Sequence, residues 1–212
     1  MDPSTLDDPF LAGAATCRDF LHGAGLAARW ATPSALPAMS TGALACHLSR
    51  QVTRAAELLV TPSDLPVLDA VDEHYARAAW VTSTSPDDPE NDRTTDDAEA
   101  ALGHAAMLTR LDEDLATVTR ILTGRAALDV VPIPWQGWAL HRPDFLCTRL
   151  LEIVVHSADL AASLGTAAPE FPDAAFGPVR DLLARLAVRR HGQAAVVSTL
   201  TRRERAQPIS AF

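Results

Sequence analysis

Residues 143–165 read PDFLCTRLLEIVVHSADLAASLG. A proline opens it and a glycine closes it, as at the two ends of many helices. At about 100° per residue, the charged side chains and the histidine from Phe145 to Leu164 share one stripe roughly 80° wide; they are Arg149, Glu152, His156 and Asp159. The rest of the surface is apolar or small, which is typical of a buried helix, and a buried charge is costly unless it is paired or binds a metal. We therefore predict a buried helix whose stripe is not an ordinary solvated face.

Apolar residues at spacings of three and four predict helices along most of the chain. The predicted helices cover about 9–22, 40–59, 64–75, 96–122, 143–164 and 173–191. Residues 129–142 are broken by two prolines and a glycine, which predicts a loop with extended pieces. Residues 194–212 predict a turn of helix and a short strand. The expected fold class is all-α.

Composition limits the class of protein. The chain has 212 residues, 48% hydrophobic and 21% charged, as expected for one domain or one domain with a small appendage. A net charge of −9 argues against a nucleic-acid-binding surface. No apolar run suggests a membrane span, and the first residues do not resemble a signal peptide. The three widely spaced cysteines favour neither a disulfide framework nor a zinc ribbon, so we expect a cytoplasmic protein.

Residues 82–97 contain the one break in composition. Between Asp87 and Glu99 there are seven acidic residues and one arginine, which supplies net −6 of the chain's −9. Polar segments of this kind bury too little surface to fold alone, so we interpret the segment as a solvated connector. A lid over a site is the alternative.

The pair Glu152 and His156 suggests a metal site. The two residues are four apart, so their side chains can reach one ion from the same face of a helix. A carboxylate and an imidazole suit zinc, and also iron, nickel or manganese. A further ligand is available at His47, in the predicted second helix. The alternative for His47 is a hydrogen-bonded core histidine. His74 and His104 have acidic or small neighbours and are expected at the surface.

Two stretches together carry a resemblance to a known family. They are ALPAMSTGALACHLSRQ at residues 35–51 and DFLCTRLLEIVVHSADLAASLG at residues 144–165. The chain resembles the mycothiol-dependent maleylpyruvate isomerase family, from about residue 10 to residue 165. That family belongs to the DinB-like group of metal-binding helical bundles. The resemblance implies a DinB-like four-helix bundle over residues 1–165, followed by a short C-terminal extension over residues 166–212.

The resemblance also implies a metal site and a chemistry. In this family a histidine of the second helix, with a glutamate and a histidine of a later helix, holds a divalent metal that is generally zinc. The corresponding residues are His47, Glu152 and His156. Three protein ligands leave a coordination position open, and a metal lowers the pKa of a bound thiol. The family's isomerases are thought to add mycothiol to a cis double bond, allow rotation and expel the thiol, whereas relatives transfer a thiol to an electrophile.

Other polar residues have candidate roles around this site. Asp159, one turn beyond His156, is expected to orient a ligand or accept a proton, and the alternative is a salt bridge to Arg149 or Arg54. Arg149 is a candidate to bind a substrate carboxylate or to neutralise the nearby acids. The candidates for binding substrate or thiol are Arg54, Trp135, Trp138, Arg202 and Arg203. We expect a pocket beside the ligands, walled by the tryptophans or the C-terminal tail.

The C-terminus departs from the family pattern. Full-length isomerases carry a second, α+β domain that supplies an arginine for the substrate carboxylate, whereas only about 45 residues follow Gly165 here. The functional hypothesis is therefore a zinc-dependent enzyme that uses mycothiol for isomerisation or S-transfer on a small electrophile. Its rivals are a non-haem iron oxygenase, a hydrolytic metalloenzyme and a non-catalytic metal-bound interaction module. A membrane and nucleic acid are not expected as partners, and a homodimer stays open.

Overall fold

The structure is a computed structural model, and it describes residues 2, 4–23, 25–82 and 93–212. The helices of these residues are α1 (Asp7–Gly23), α2 (Thr41–Leu58), α3 (Val71–Arg77), α4 (Thr94–Ala101), α5 (His104–Thr123), α6 (Arg142–Leu164), α7 (Asp173–His191) and α8 (Gln193–Thr201). The strands are β1 (Val67–Leu68), β2 (Val130–Ile133) and β3 (Trp138–His141). Short 3₁₀ turns occupy residues 26–29, 79–82 and 203–205.

Four helices, α1, α2, α5 and α6, form a bundle, as expected. Each of α1 and α5 packs against α2 or α6 along its length, and α2 also packs directly on α6. Fully buried side chains from all four helices fill the centre; they include Phe10, Leu48, Leu111, Phe145 and Leu150. None of the helices in the described residues is both long and apolar enough to cross a lipid bilayer. The all-α fold class predicted from the sequence is confirmed.

The C-terminal extension is helical. α7 packs against α1 and α6, and α8 packs against α7. The short strand expected in residues 194–212 was wrong, because α8 and a 3₁₀ turn occupy that part and the rest forms no ladder. Phe212 instead packs its ring against Tyr75 and Trp80, at centroid distances of 5.4 and 5.1 Å. The division of the chain at Gly165 remains a prediction.

A small sheet covers one end of the bundle, where the sequence predicted a loop with extended pieces. β2 and β3 form an antiparallel hairpin, and the two residues of β1 pair in parallel with β3. The prolines are accommodated because Pro132 lies in β2, which has β3 on one side only and is therefore an edge strand. The sheet fixes the turn that carries Trp135 and the strand that carries Trp138.

Two predicted helix boundaries were wrong. The helix expected over residues 96–122 is two helices, because Gly103 takes a φ of 92° that ends α4 and starts α5. The helix expected from residue 64 begins only at Val71, because Val67 and Leu68 are extended and pair with β3. The acidic connector lies mostly outside the described residues, and its end at Thr94–Ala101 is helical.

Candidate metal centre

Three side chains from two helices converge at one point. His47 comes from α2, and Glu152 and His156 come from α6. One potential ligand atom from each lies within 4.8 Å of the other two. An oxygen of Glu152 is 3.7 Å from Nε2 of His47 and 3.2 Å from Nε2 of His156. The sequence therefore predicted a set of residues that the fold does bring together.

The packing of α2 on α6 creates this convergence. Ser40 caps α2 by accepting a hydrogen bond from the backbone N–H of Ala43, which fixes where the helix begins. Leu44 and Leu48 of α2 are fully buried in the bundle, so the helix face between them is held against its neighbours. His47 lies in the same turn of α2, between Leu44 and Leu48, and its side chain reaches α6. On α6 the spacing of four residues stacks Glu152 and His156 on one face.

A carboxylate holds the far nitrogen of each imidazole. Nδ1 of His156 lies 3.0 Å from an oxygen of Asp159, and Nδ1 of His47 lies 3.2 Å from an oxygen of Asp96. A carboxylate accepts a hydrogen bond, so each Nδ1 carries its hydrogen and each Nε2 is directed toward Glu152. Histidines that bind metals are commonly oriented in this way. The contact of Asp159 is with His156 and not with Arg149 or Arg54.

Asp96 is the residue of the site that the sequence analysis missed. It lies in α4, is 3% exposed, and its other oxygen is 2.7 Å from Nη1 of Arg50. Arg50 also pairs with Glu99 at 2.6 Å. This network ties α4 to α2 beside His47. In the sequence, Asp96 is one of seven acids in a polar segment 49 residues away from His47, so no local spacing marks it.

The charges around Glu152 favour an ionised site. Burial acts to raise the pKa of Glu152, but hydrogen bonds from His156 and His47 and the charges of His156 and Arg149 outweigh it and hold the pKa well below its usual range. Burial acts to lower the pKa of His156, yet Asp159 and Glu152 raise it to about 9. A metal ion that binds Nε2 of His156 must displace this proton, so its affinity rises with pH.

The three side chains are not closed off from solvent. The side chain of His47 is 25% exposed, that of Glu152 17% and that of His156 20%. Two imidazole nitrogens and one carboxylate oxygen are a good donor set for zinc or another divalent transition metal. An accessible side is the feature that separates catalytic zinc sites from closed structural ones.

A family model described as the mycothiol maleylpyruvate isomerase N-terminal domain matches residues 10–161. The match covers more than half of the chain and includes His47, Asp96, Glu152, His156 and Asp159. The chain belongs to the mycothiol maleylpyruvate isomerase N-terminal domain family. The comparisons with curated proteins and with solved structures gave no significant match.

Within this member of the mycothiol maleylpyruvate isomerase family, Arg149 is a buried residue beside the three converging side chains. It is 3% exposed, and its Nη1 donates to Oε1 of Gln51 at 2.6 Å. Its Nε donates to the hydroxyl of Thr148 at 3.2 Å. Its charge helps to lower the pKa of Glu152. The guanidinium is therefore fixed in place by neutral groups of α2 and α6.

Arg54, Trp135 and Trp138 lie at the end of the bundle that the small sheet covers. The guanidinium carbon of Arg54 is 4.2 Å from the ring centroid of Trp135, which is 49% exposed. Nε1 of Trp138 donates to Nδ1 of His74 at 3.1 Å. The placement of His74 at the surface was wrong, because α3 turns it under β3 and leaves it 4% exposed. His104 is half-buried.

The C-terminal arginines lie outside the region that the family model matches. Arg202 and Arg203 are exposed at the end of α8, and Arg202 donates to the carbonyl of Thr201. A role for them in the site remains a prediction.

Two cavities, of about 520 and 240 Å³, are lined by other residues, the smaller one by Tyr75, Leu186, Arg189 and Phe212 among others. Neither borders the three converging side chains, so a pocket beside them also remains a prediction.

His74 should make the stability depend on pH. Burial and the charge of Arg149 lower the pKa of His74 from 6.5 to about 4, against the opposing charge of Glu152. The unfolded chain binds this proton more readily than the folded chain does. The contribution of neutral His74 to the free energy of unfolding is therefore complete above pH 6.5, and it is lost as the pH falls toward 4, by up to about 3 kcal/mol. We expect His74→Gln, which keeps an acceptor for Trp138, to lose less stability than wild type between pH 7 and 4.5 in urea unfolding. An equal loss of stability in wild type and His74→Gln would contradict the assignment.

Proposed function

We propose that this chain is a divalent-metal-dependent enzyme that uses a low-molecular-weight thiol, mycothiol, for isomerisation or S-transfer on a small electrophilic substrate. The observation that carries the proposal is the convergence of His47, Glu152 and His156 within 4.8 Å on a side that solvent can reach. Membership of the mycothiol maleylpyruvate isomerase family supports the choice of thiol. The proposed metal is zinc.

The chemistry of the donors fits such an ion. His47 and His156 would offer Nε2, because Asp96 and Asp159 engage both Nδ1 atoms. Glu152 would offer a carboxylate whose pKa is held below its usual range. When bound, a divalent metal supplies a Lewis acid that favours the thiolate form of a thiol, which is the nucleophile.

The remaining residues act on orientation and charge. Asp96 and Asp159 fix the two imidazole rings, and Gln51 and Thr148 fix Arg149. The side of the site that is open to solvent gives thiol and electrophile a route to the same point. We propose the bundle of residues 1–165 as the unit that carries the site, residues 166–212 as an extension, and the cytoplasm as the location. Three buried free cysteines agree with a reducing compartment.

A thiol-consumption assay tests the proposed function. Zinc-loaded protein is mixed with mycothiol and a panel of small electrophiles, including cis-unsaturated acids, and the free thiol and the products are followed. Catalytic thiol consumption indicates S-transfer, and isomerised product with unchanged thiol indicates isomerisation. Turnover that is equally fast without thiol would contradict the proposal.

The same donor set occurs in non-haem iron oxygenases, so this rival is tested directly. Protein reconstituted anaerobically with iron(II) is exposed to oxygen, and oxygen uptake is measured with the same panel. Substrate-dependent uptake would favour the oxygenase. A metal-loaded protein that turns over no substrate under either condition would favour the interaction module.

A further inference from the structure

Arg54 lies on the same face of α2 as His47. The two residues are seven apart, which is two helical turns and nearly the same direction. Arg54 is half-buried, and the charges of Glu152 and Arg149 both act on it. Its guanidinium therefore belongs to the surroundings of the three converging side chains.

No acid of the described residues forms an ion pair with this guanidinium, although the charges of Glu152 and Asp96 act on it. The contact that holds it is the stack on Trp135, at 4.2 Å from the ring centroid, and the described residues form no hydrogen bond or ion pair with it. Arg50, one turn before it on α2, pairs with both Asp96 and Glu99. Burial and the charges of Arg149 and Arg50 lower the pKa of Arg54 to about 10. Burying a charge is costly unless it is paired, so a half-buried guanidinium without an ion pair suits an anionic ligand.

The balance of charge around the site points to an anionic ligand. Glu152 and Asp159 would offset the two charges of a divalent metal. Among the described residues, Arg149 donates hydrogen bonds to the neutral groups Gln51 and Thr148, and Arg54 lies against the ring of Trp135. Neither of these two guanidinium groups forms an ion pair with a carboxylate of the described residues.

We propose that Arg54, stacked on Trp135, is the subsite that binds a carboxylate of the electrophilic substrate. The inference rests on the proposed function and adds a residue that determines which electrophiles are accepted. A guanidinium has a planar fork of N–H donors that matches a carboxylate in two parallel hydrogen bonds. Trp135 lies against the guanidinium, 4.2 Å from its carbon to the ring centroid, and the described residues supply no acceptor for the N–H donors of Arg54.

Binding of a probe to Arg54 can be measured without turnover. Maleate is the probe and dimethyl maleate is its neutral counterpart; each is titrated by calorimetry into zinc-loaded and metal-free protein. We expect maleate to bind and the ester to bind at least about tenfold more weakly, because hydrogen bonds between charged groups contribute this much or more.

Variants assign the binding to Arg54. Arg54→Gln should weaken maleate binding about tenfold or more in both forms of the protein, while zinc stoichiometry and the circular dichroism spectrum stay as in wild type. Arg54→Lys keeps the charge but not the fork, so it should restore only part of the affinity. Arg120→Gln removes one exposed arginine of α5 and is the matched control, with less than about a twofold effect.

The outcomes separate this inference from the proposed function. Maleate binding that is unchanged in Arg54→Gln, or ester binding as tight as that of the diacid, would overturn the carboxylate subsite even if zinc binds. A protein that binds no zinc but loses maleate affinity with Arg54→Gln would keep the subsite and reject the proposed function. The carboxylate that Arg54 binds could instead belong to the thiol. Titrations with N-acetylcysteine and N-acetylcysteamine, which differ in the carboxylate alone, test this alternative. An Arg54-dependent preference for the acid, with no such dependence for maleate, would place the carboxylate on the thiol and overturn the assignment to the electrophile.

Discussion

Replacing His156 by alanine should abolish stoichiometric zinc retention and thiol-dependent turnover together. Two ligands would remain, His47 on α2 and Glu152 on α6. If each of three protein ligands supplies a similar share of a binding free energy of about 10–16 kcal/mol, losing one weakens zinc binding on the order of 10³-fold. The measurement is zinc per chain by elemental analysis after dialysis, and affinity by competition with a chromogenic chelator.

A histidine outside the site provides the matched control for this variant. His22 lies on α1, 34% of its side chain is exposed, and its partner is Asp112. His22→Ala should keep zinc and turnover at the wild-type level. Retention of one zinc per chain by a folded His156→Ala protein, at unchanged affinity, would show that the ion binds elsewhere.

Neutralising Asp96 or Asp159 should weaken zinc binding roughly 10–100-fold each. Each carboxylate orients one imidazole and increases its basicity through Nδ1, and asparagine cannot supply that charge. At protein concentrations well above the dissociation constant, Asp159→Ala should still hold most of its metal and turn over more slowly. Asp96→Asn should in addition lower the free energy of unfolding, because the half-buried Arg50 then has Glu99 as its remaining acid partner.

A variant at the neighbouring Asp97 is the control for removing one negative charge from α4. Asp97 is exposed on the same helix, so Asp97→Asn should bind zinc as wild type does. Chelator competition compares the four proteins. Equal affinity in the Asp96, Asp97 and wild-type proteins would show that the contact with His47 does not orient a ligand.

Much of the site could be predicted from the sequence because α6 carries most of it. A helix with a single ionisable stripe can bury its other faces, and the four-residue spacing of Glu152 and His156 sets their direction within that helix. The helix periodicity also indicated the bundle helices, since each has an apolar face that must pack against another. His47 required the family resemblance, because a histidine among apolar neighbours has more than one explanation.

The rest depends on contacts between distant segments. Asp96 reaches His47 only because α4 folds back on α2, and Gly103 permits this by interrupting what reads as one helix. His74 has polar neighbours along the chain but is covered by Trp138, whose strand pairs with β1 just before α3. Short strands broken by proline have no periodicity to detect, so the hairpin of β2 and β3 was expected only as extended pieces.

Cobalt substitution tests whether His47, Glu152 and His156 hold a divalent metal that a thiol can reach. Protein reconstituted with one cobalt(II) per chain is titrated with mycothiol while the absorption spectrum is recorded. We expect a sulfur-to-cobalt charge-transfer band to appear and saturate at one thiol per metal in wild type, and to be absent in His156→Ala. A cobalt spectrum that mycothiol leaves unchanged, in a protein that turns over substrate equally well without thiol, would contradict the claim.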